Sequence, residues 1–360
     1  MRQINPKTKI IVALSGGVDS AVSAALLVDQ GYNVTGVFMK NWSGDDFSLN
    51  SDCPWEEDQR DAENVCKTLG IPFKSVNFEK QYREIVVRYF FDEYSKGRTP
   101  NPDVLCNKEI KFKLFLQYAT DSGAQLIATG HYARIAEDKN GFQLLKGLDT
   151  NKDQSYFLHR LTQDQLSKSL FPIGELQKKE VRELALKFNL PNATKKDSQG
   201  ICFIGKIDVQ DFLRENIKIK VGEIIDIDTS KKLGQHDGVM FYTIGQREGI
   251  GIGGAGEPYY VVSKSSDENI LYVAKGKNHP ALYSSKAKFE DLHWINSNVN
   301  IPNNISASVR YRHNPCDGLI DSINEDFTFR EPQRAITPGQ SIVFYQDDIC
   351  LGGAIITQRF

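Results

Sequence analysis

Three stretches of this chain carry residue types whose spacing can do chemistry: Ser15-Gly16-Gly17-Val18-Asp19-Ser20, Gly97 to Asn107, and Lys195 to Gly205. In the first, two glycines let the backbone come close to an anion, and Ser15 and Ser20 add hydroxyl donors. A helix starting just beyond would supply unpaired N–H groups and a partial positive charge, completing a phosphate cradle. Asp19 is the odd member, because a carboxylate beside phosphates is repulsive unless it binds a cation or caps the helix. In the second stretch, Cys106 precedes a helix expected to begin at Lys108, with Lys111 close by. Both features draw a thiol pKa from ~8.5 toward neutrality. Asp103, three residues earlier, is placed to exchange a proton. Pro100 and Pro102 are expected to hold this stretch extended and non-helical, and its polarity argues against the buried role common for a single cysteine. In the third stretch, Cys202 lies in a loop preceded by Lys195 and Lys196, again an electropositive setting. Two such thiols point to paired sulfur chemistry.

The elements that must position these groups follow from the hydrophobic pattern. Strands are predicted at Lys9–Leu14, Tyr32–Met39, Phe73–Phe78 and Gln125–Thr129, alternating with helices at Ala21–Gln30, Glu57–Leu69, Lys80–Tyr94 and Lys108–Asp121. That alternation predicts a doubly wound parallel sheet, with ligands at the carboxyl ends of its strands. The loop after the first strand, Met39 and Gly130-His131 should therefore share one crevice, where Met39 either packs on an adenine or belongs to the core. The long polar connection from Asn41 to Glu56 reads as a lid or as disordered chain, and Cys53 within it has no assigned role.

Residues 133 to 147 read as a hairpin turning at Asn140-Gly141. The polar cluster Lys152-Asp153-Gln154 opens a helix, as capping or as a contact surface. An amphipathic helix follows at 177–189, and a short one at Ile207–Asn216. Beyond it the alternation stops, with strands at Tyr259–Ser263 and Ile270–Lys275 and, from about Ser284, short strands that predict a small β-barrel. The domains are expected at 1–205 (nucleotide-binding and catalytic), 206–280 (central, mixed or β) and 281–360 (barrel). Gly251 to Gly256 matches G-x-G-x-x-G but has no strand before it or helix after it, so no dinucleotide site is assigned.

Composition narrows the class. The 360 residues carry 44 basic and 46 acidic side chains, so overall charge does not point to nucleic acid and such a partner would need local patches. Val309-Arg310-Tyr311-Arg312-His313 interleaves cations with an aromatic, but the barrel region as a whole is more acidic than basic. No apolar run approaches a membrane span and the polar start leaves no room for a signal peptide, so a cytosolic protein without a membrane partner is expected. The six cysteines then read as thiols, any disulfide being transient, and no metal-ligand spacing occurs.

No lysine-bearing P-loop motif is present. Ser-Gly-Gly-x-Asp-Ser instead resembles the PP-loop of the ATP pyrophosphatase superfamily, with an adenine nucleotide alpha hydrolase-like fold. Together with Asn-Pro-Asp-x-x-Cys-Asn at 101–107, Gly-Ile-Cys-Phe-Ile-Gly at 200–205, Thr-Gly-His-Tyr at 129–132, Lys-Asp-Gln-Ser-Tyr-Phe at 152–157 and Thr-Pro-Gly-Gln at 337–340, it makes the chain similar, nearly end to end, to the tRNA-specific 2-thiouridylase family. The resemblance implies that ATP, with Mg2+, adenylates the C2 oxygen of the wobble uridine of tRNA. A persulfide on Cys202 then delivers sulfur, with Cys106 as nucleophilic partner, Asp103 as acid/base, and a transient Cys106–Cys202 disulfide. It implies ATP contacts from Ala13, Leu14, Ser15, Gly16, Gly17, Val18, Asp19, Ser20, Met39 and Gly130, and target-base contacts from Asn101, Pro102 and Asp103. It implies tRNA contacts from His131, Lys152, Asp153, Gln154, Arg310, Tyr311 and Gln340. The implied partners are tRNAs for Glu, Gln and Lys, and a persulfide donor such as a cysteine desulfurase or a sulfur-relay protein. The alternatives are another PP-loop adenylating enzyme (an amidotransferase-type or argininosuccinate synthetase), which would not require the two cysteines, or a non-catalytic tRNA-binding or sulfur-relay protein.

Overall fold

A computed structural model describes residues 5, 7–43, 55–196, 209–253, 256–297 and 305–360. Cys53, Cys202 and most of the connection between Asn41 and Glu56 lie outside the described residues. The chain opens with β1 (Lys9–Leu14), α1 (Val18–Asp29), β2 (Asn33–Lys40), α2 (Trp55–Leu69) and β3 (Phe73–Asn77). Then come α3 (Glu79–Tyr82), a wide π turn at Arg83–Val87, α4 (Arg88–Ser95), α5 (Pro102–Leu105), a second π stretch at Cys106–Leu114, α6 (Phe115–Asp121) and β4 (Leu126–Ala128). The hairpin β5 (Ala133–Asp138) and β6 (Gly141–Lys146) precedes α7 (Ser155–Leu158), α8 (Gln163–Ser167), β7 (Ser169–Leu170), α9 (Lys178–Lys187) and α10 (Val209–Asn216).

The first sheet is parallel, in the order β3-β2-β1-β4-β7. Alternate residues face opposite layers, as a strand's two-residue period requires. Ile11, Ala13, Val37, Met39 and Ile127 join the core with the helices of residues 79–121. Ile10, Val12, Leu14, Phe38 and Ala128 pack instead with α1 and α2. The expected doubly wound sheet is therefore present, with one strand the sequence reading did not name. That strand, β7, has only two residues, too few to show a periodic pattern.

The central sheet runs β10-β11-β8-β9, from β8 (Gly222–Asp226), β9 (Lys232–His236), β10 (Tyr259–Ser265) and β11 (Ile270–Lys275). The remaining strands are β12 (Tyr283–Trp294), β13 (Ile305–Ser308), β14 (Cys316–Asp321), β15 (Asp326–Arg334), β16 (Ser341–Gln346) and β17 (Ile349–Arg359). They run β12-β15-β14-β13-β16-β17, and pairing of β12 with β17 closes them into a six-stranded barrel. The hairpin β5–β6 also joins this sheet, with Leu144 and Leu145 opposite Cys350 and Ile349 of β17.

Several side chains tie the modules together. The Arg160 guanidinium donates to the Asp291 carboxylate at 2.7 Å, and that of Arg98 bridges Glu93 and Glu290 at 2.7 Å each. His159 is wholly buried against Gly353 of the barrel, its Nδ1–H donating to the Tyr156 carbonyl at 2.7 Å. Burial lowers its pKa to about 3, and holds His131 well below the ordinary histidine range. Both rings must be neutral in the fold, whereas in the unfolded chain they take up protons below about pH 6.5. Their contribution is complete above that pH and is lost as pH falls, for His159 until about pH 3 and by up to about 1.4 kcal/mol per pH unit. The urea midpoint should therefore fall between pH 6.5 and pH 5, and His159→Gln should lose part of that acid sensitivity. A variant with the wild-type pH slope would remove His159 from this account.

Candidate active site

The turn after β1 is built around the start of α1. Gly16 adopts φ +75°, the left-handed region that suits glycine, and a Cβ there would lie 2.5 Å from the Asp58 carbonyl oxygen. Gly17 caps the helix, and α1 starts at Val18, three residues earlier than the apolar pattern predicts, so Asp19 and Ser20 sit in its first turn. The Ser20 hydroxyl closes the turn, accepting from Ser15 N–H at 3.2 Å and donating to the Gly17 carbonyl at 3.1 Å. Asn192 holds the outer side, donating to the Gly16 carbonyl at 2.8 Å. From β4, Gly130 lies flat against the helix start, where a Cβ would come within 2.6 Å of Ser20 N. Met39 is buried in the sheet's core.

Asp19 does not cap the helix. Its Oδ1 accepts from the Tyr132 hydroxyl at 2.8 Å and from Lys178 Nζ at 2.7 Å. Lys178 opens α9, which packs on α1. Neither Tyr132 nor Lys178 is marked by local sequence as a partner of Asp19. A tyrosine after a glycine-histidine pair and a lysine at the head of an amphipathic helix look ordinary. Close by, Lys195 pairs with Asp58 at 2.7 Å and with Asp61, anchoring the chain just before the segment that carries Cys202. Burial raises the Asp58 pKa against the opposing effect of Lys195.

The stretch around Cys106 departs from the sequence-based expectation. Residues 102–105 are helical, with Pro102 in the first turn and Asn101 as N-cap, its side chain accepting from Val104 N–H at 3.4 Å. Proline at a first helical position is pre-set for the helix and gives up no needed donor, so it starts this helix where it was expected to prevent one. Cys106 consequently faces inward and is 0% exposed, packed in the main core, contrary to the accessibility expected of a polar loop. Lys108 contacts Glu109 at 3.4 Å. Asp103 and Asn101 lie half-buried, with Asp103 one turn before the cysteine. Cys202, and with it any Cys106–Cys202 bond, lies outside the described residues.

The segment leading into this helix is fixed by the other two modules. Thr99 N–H donates to the Pro338 carbonyl at 2.9 Å, and Gln340 Nε2 donates to the carbonyls of Thr99 at 2.9 Å and Pro100 at 3.1 Å. Gly339 lies against this backbone, since a Cβ there would be 2.8 Å from Thr99 N. The Thr99 and Thr243 hydroxyls meet at 3.2 Å. Arg310 donates to the Ile244 carbonyl at 3.3 Å, and Tyr311 packs on Phe157 with ring centroids 4.4 Å apart. Asp153 accepts from the N–H groups of Gly147 at 2.9 Å and Ser155 at 3.0 Å, and Gln154 Oε1 accepts from Tyr132 N–H at 3.0 Å. Asp153 thus supports the start of α7, while the N-cap residue Gln154 makes no side-chain capping bond. Lys152 is half-buried beside it. His131 is buried, bonded to the Thr129 hydroxyl at 2.7 Å and flanked by Phe112 and Phe171.

A parallel sheet with this glycine turn at the head of its first helix, followed by two β modules, defines a PP-loop α/β protein. Residues 8–206 match the family described as tRNA methyl transferase HUP domain, 210–275 its PRC-barrel domain, and 257–356 the aminomethyltransferase beta-barrel domain. The chain is 51% identical over 358 residues to the tRNA-specific 2-thiouridylase MnmA of Alkaliphilus oremlandii, covering 98% of this chain and 97% of that protein. It is 50% identical to the Staphylococcus epidermidis protein of that name (98% and 96% covered) and to that of Bacillus subtilis (97% and 95%). The chain belongs to the tRNA-specific 2-thiouridylase (MnmA) family.

Two outcomes check this geometry. Gly16→Ala should destabilise the protein by on the order of 1–3 kcal/mol, since strain and collision act together, while Gly17→Ala should cost less than about 1 kcal/mol. Equal urea midpoints for the two variants would refute the turn as described. In the protein without ligands, iodoacetamide should modify Cys106 far more slowly than half-buried Cys316, read by peptide mass mapping. Comparable rates would contradict the burial.

Proposed function

We propose that this chain is a tRNA-uridine 2-sulfurtransferase that uses ATP to thiolate the wobble uridine. The observation carrying this reading is the Gly16 turn with its acidic Asp19 at the head of α1, facing the same crevice as the strand ends. The named relatives support it, being tRNA-specific 2-thiouridylases matched over nearly their whole length. The family description at residues 8–206 speaks of methyl transfer, but a phosphate cradle paired with cysteine motifs answers to nucleotide activation and sulfur chemistry.

In this reading the C2 oxygen of the uridine attacks the α-phosphorus of ATP, and pyrophosphate leaves. The terminal sulfur of a Cys202 persulfide adds to C2, and AMP departs with the former carbonyl oxygen. Cys106 attacks the inner sulfur, and the S–S electron pair goes to the sulfur now on C2. The resulting Cys106–Cys202 disulfide requires a thiol reductant for the next cycle; alternatively, Cys106 first frees hydrosulfide. A carbonyl oxygen is a poor leaving group until adenylated, and a persulfide is more ionised than an alkyl thiol at neutral pH, which is why both activations are used.

Asp103 serves as acid/base, and Asn101 and Pro102 border the uridine. Ala13 to Ser20, Met39 and Gly130 line the nucleotide site. His131, Lys152, Asp153, Gln154, Arg310, Tyr311 and Gln340 make up the tRNA-contacting set, in which the inward-turned Asp153, Gln154 and Gln340 would act through the backbone they hold. The base must leave its stack to reach the crevice. Because Cys106 is buried, the clamped segment 97–101 and the helix after it must shift when the base arrives. Mg2+ would arrive on the nucleotide's phosphates, and Asp19 Oδ2, which neither Tyr132 nor Lys178 addresses, would be the protein oxygen offered to it. Transfer RNAs for Glu, Gln and Lys, a persulfide donor of the desulfurase or relay type, and a cytoplasmic setting complete the proposal. Among the described residues no helix is long and apolar enough to cross a membrane.

Cys106→Ser and Cys202→Ser should each abolish sulfur incorporation while tRNA-dependent pyrophosphate release continues. The checks are nucleoside mass spectrometry and a pyrophosphate assay with a persulfide donor present. Full thiolation by Cys202→Ser would end the mechanism, and a methyl rather than sulfur mass change would end the reading.

A further inference from the structure

We propose that Arg334 and Arg310 together seat one backbone phosphate of the tRNA, next to the uridine that receives sulfur. The inference rests on the tRNA reading above and adds to it Arg334, which stands in none of the motifs read from the sequence.

The two arginines come from different parts of the barrel and meet against the central module. Arg310 follows β13 by two residues, and Arg334 ends β15. Between them lies Gly245, at φ +87°. A Cβ on Gly245 would be 3.7 Å from Arg334 Nη1 and 4.0 Å from Arg310 Nη2. The two nitrogens are therefore at most about 8 Å apart, a gap that one phosphate bonded on both sides can fill.

Like charges brought this close repel, and burial strengthens the repulsion. Burial pushes the Arg310 pKa down, and so does the Arg334 guanidinium, against the opposing effect of Tyr156. His313 is held below the ordinary histidine range by burial and by the same two guanidiniums. No carboxylate balances the group: among the described residues neither arginine forms an ion pair. Arg98 and Arg160, which also cross between modules, each meet a carboxylate at 2.7 Å.

What holds the pair in place is neutral. Arg334 Nε donates to the Lys277 carbonyl at 3.0 Å, and its guanidinium lies over the Tyr260 ring, 5.3 Å from the centroid. Arg310 Nη2 donates to the Ile244 carbonyl at 3.3 Å. The Ser308 hydroxyl, bonded to the carbonyls of Arg310 at 2.8 Å and His313 at 3.1 Å, pins the turn that carries Arg310. Among the described residues the Nη groups of Arg334 have no hydrogen-bond partner, so their donors remain for a ligand.

The position of the pair selects that ligand. Gly245 stands two residues beyond Thr243, whose hydroxyl meets that of Thr99 in the segment leading to Asn101 and Cys106. A nucleotide whose base enters the crevice there carries its own phosphates past this junction. Phosphate contacts are what fix the register of a protein on a nucleic acid.

The competing explanation is a strut, in which Arg334 merely ties β15 to the central module through Lys277 and Tyr260. Equilibrium binding of an unmodified tRNA for Glu to the full chain, measured across a salt series, separates the two. Arg334→Met, which keeps a stem over Tyr260 without the charge, should weaken binding about 10-fold at low salt. It should also flatten the dependence of log K on log salt by about 0.7 to 0.9. Arg334→Lys, which keeps the charge and loses the Nε bond, should retain the wild-type slope. A second series places one uncharged methylphosphonate at each linkage of the anticodon loop in turn. One linkage beside the wobble uridine should be costly in the wild type and without effect in Arg334→Met, and Arg310→Met should single out the same one. A wild-type slope in Arg334→Met would show a strut and overturn the proposal, as would a linkage pattern identical to that of the wild type. A wild-type protein that binds no tRNA would bring down the tRNA reading and this inference together. Binding of tRNA with an unchanged slope in Arg334→Met brings down this inference alone.

Discussion

A carboxylate at the head of a helix, in a cleft shaped for phosphate, must be held by something. Here Asp19 is held by one hydroxyl and one ammonium from two distant parts of the chain. Tyr132 can reach it because Gly130 allows the end of β4 to press against α1, and Lys178 can because α9 packs along the same helix. The strand order places β4 beside β1, so the loop carrying Tyr132 emerges next to the turn carrying Asp19. Sheet topology, two glycines and an ion pair are one arrangement. Remove any part and the anion seat has a bare negative charge inside it.

A second arrangement surrounds Cys106. The segment 97–101 has its backbone groups bonded by Pro338 and Gln340 of the barrel loop, with Thr243 of the central module on its other side. The helix it introduces begins at Pro102 and widens into a π stretch at Cys106, a geometry frequent at functional positions. Residues far apart in sequence therefore set where the thiol points. In this conformation they aim it into the core.

The sheet was legible because buried parallel strands are short apolar runs between helical periods, and β1 agrees residue for residue with its sequence pattern. The Ser15–Ser20 turn was legible because its chemistry is local. What could not be read depends on long-range partners. Whether Cys106 is buried turns on whether Pro102 starts a helix or prevents one, and the Asn101 cap decides it. The inward carboxylate of Asp153 depends on Gly147 N–H, and Lys178 matters only because Asp19 lies beside it in space. Around the G-x-G-x-x-G at Gly251 the described residues have no regular structure, and the chain enters β10 beyond them.

The β5–β6 hairpin comes about 200 residues before β17 in the sequence, yet it adds two strands to the barrel's sheet. Its outer neighbour is β17, near the chain's end, so the amino- and carboxyl-terminal parts are laced together through main-chain pairing as well as through side chains. A polypeptide stopped ahead of the barrel would leave Leu144 and Leu145 on an unpaired strand edge, the kind of surface that recruits other chains. During synthesis the nucleotide-binding half thus emerges with an open seam, which only β17, made about 200 residues later, can close.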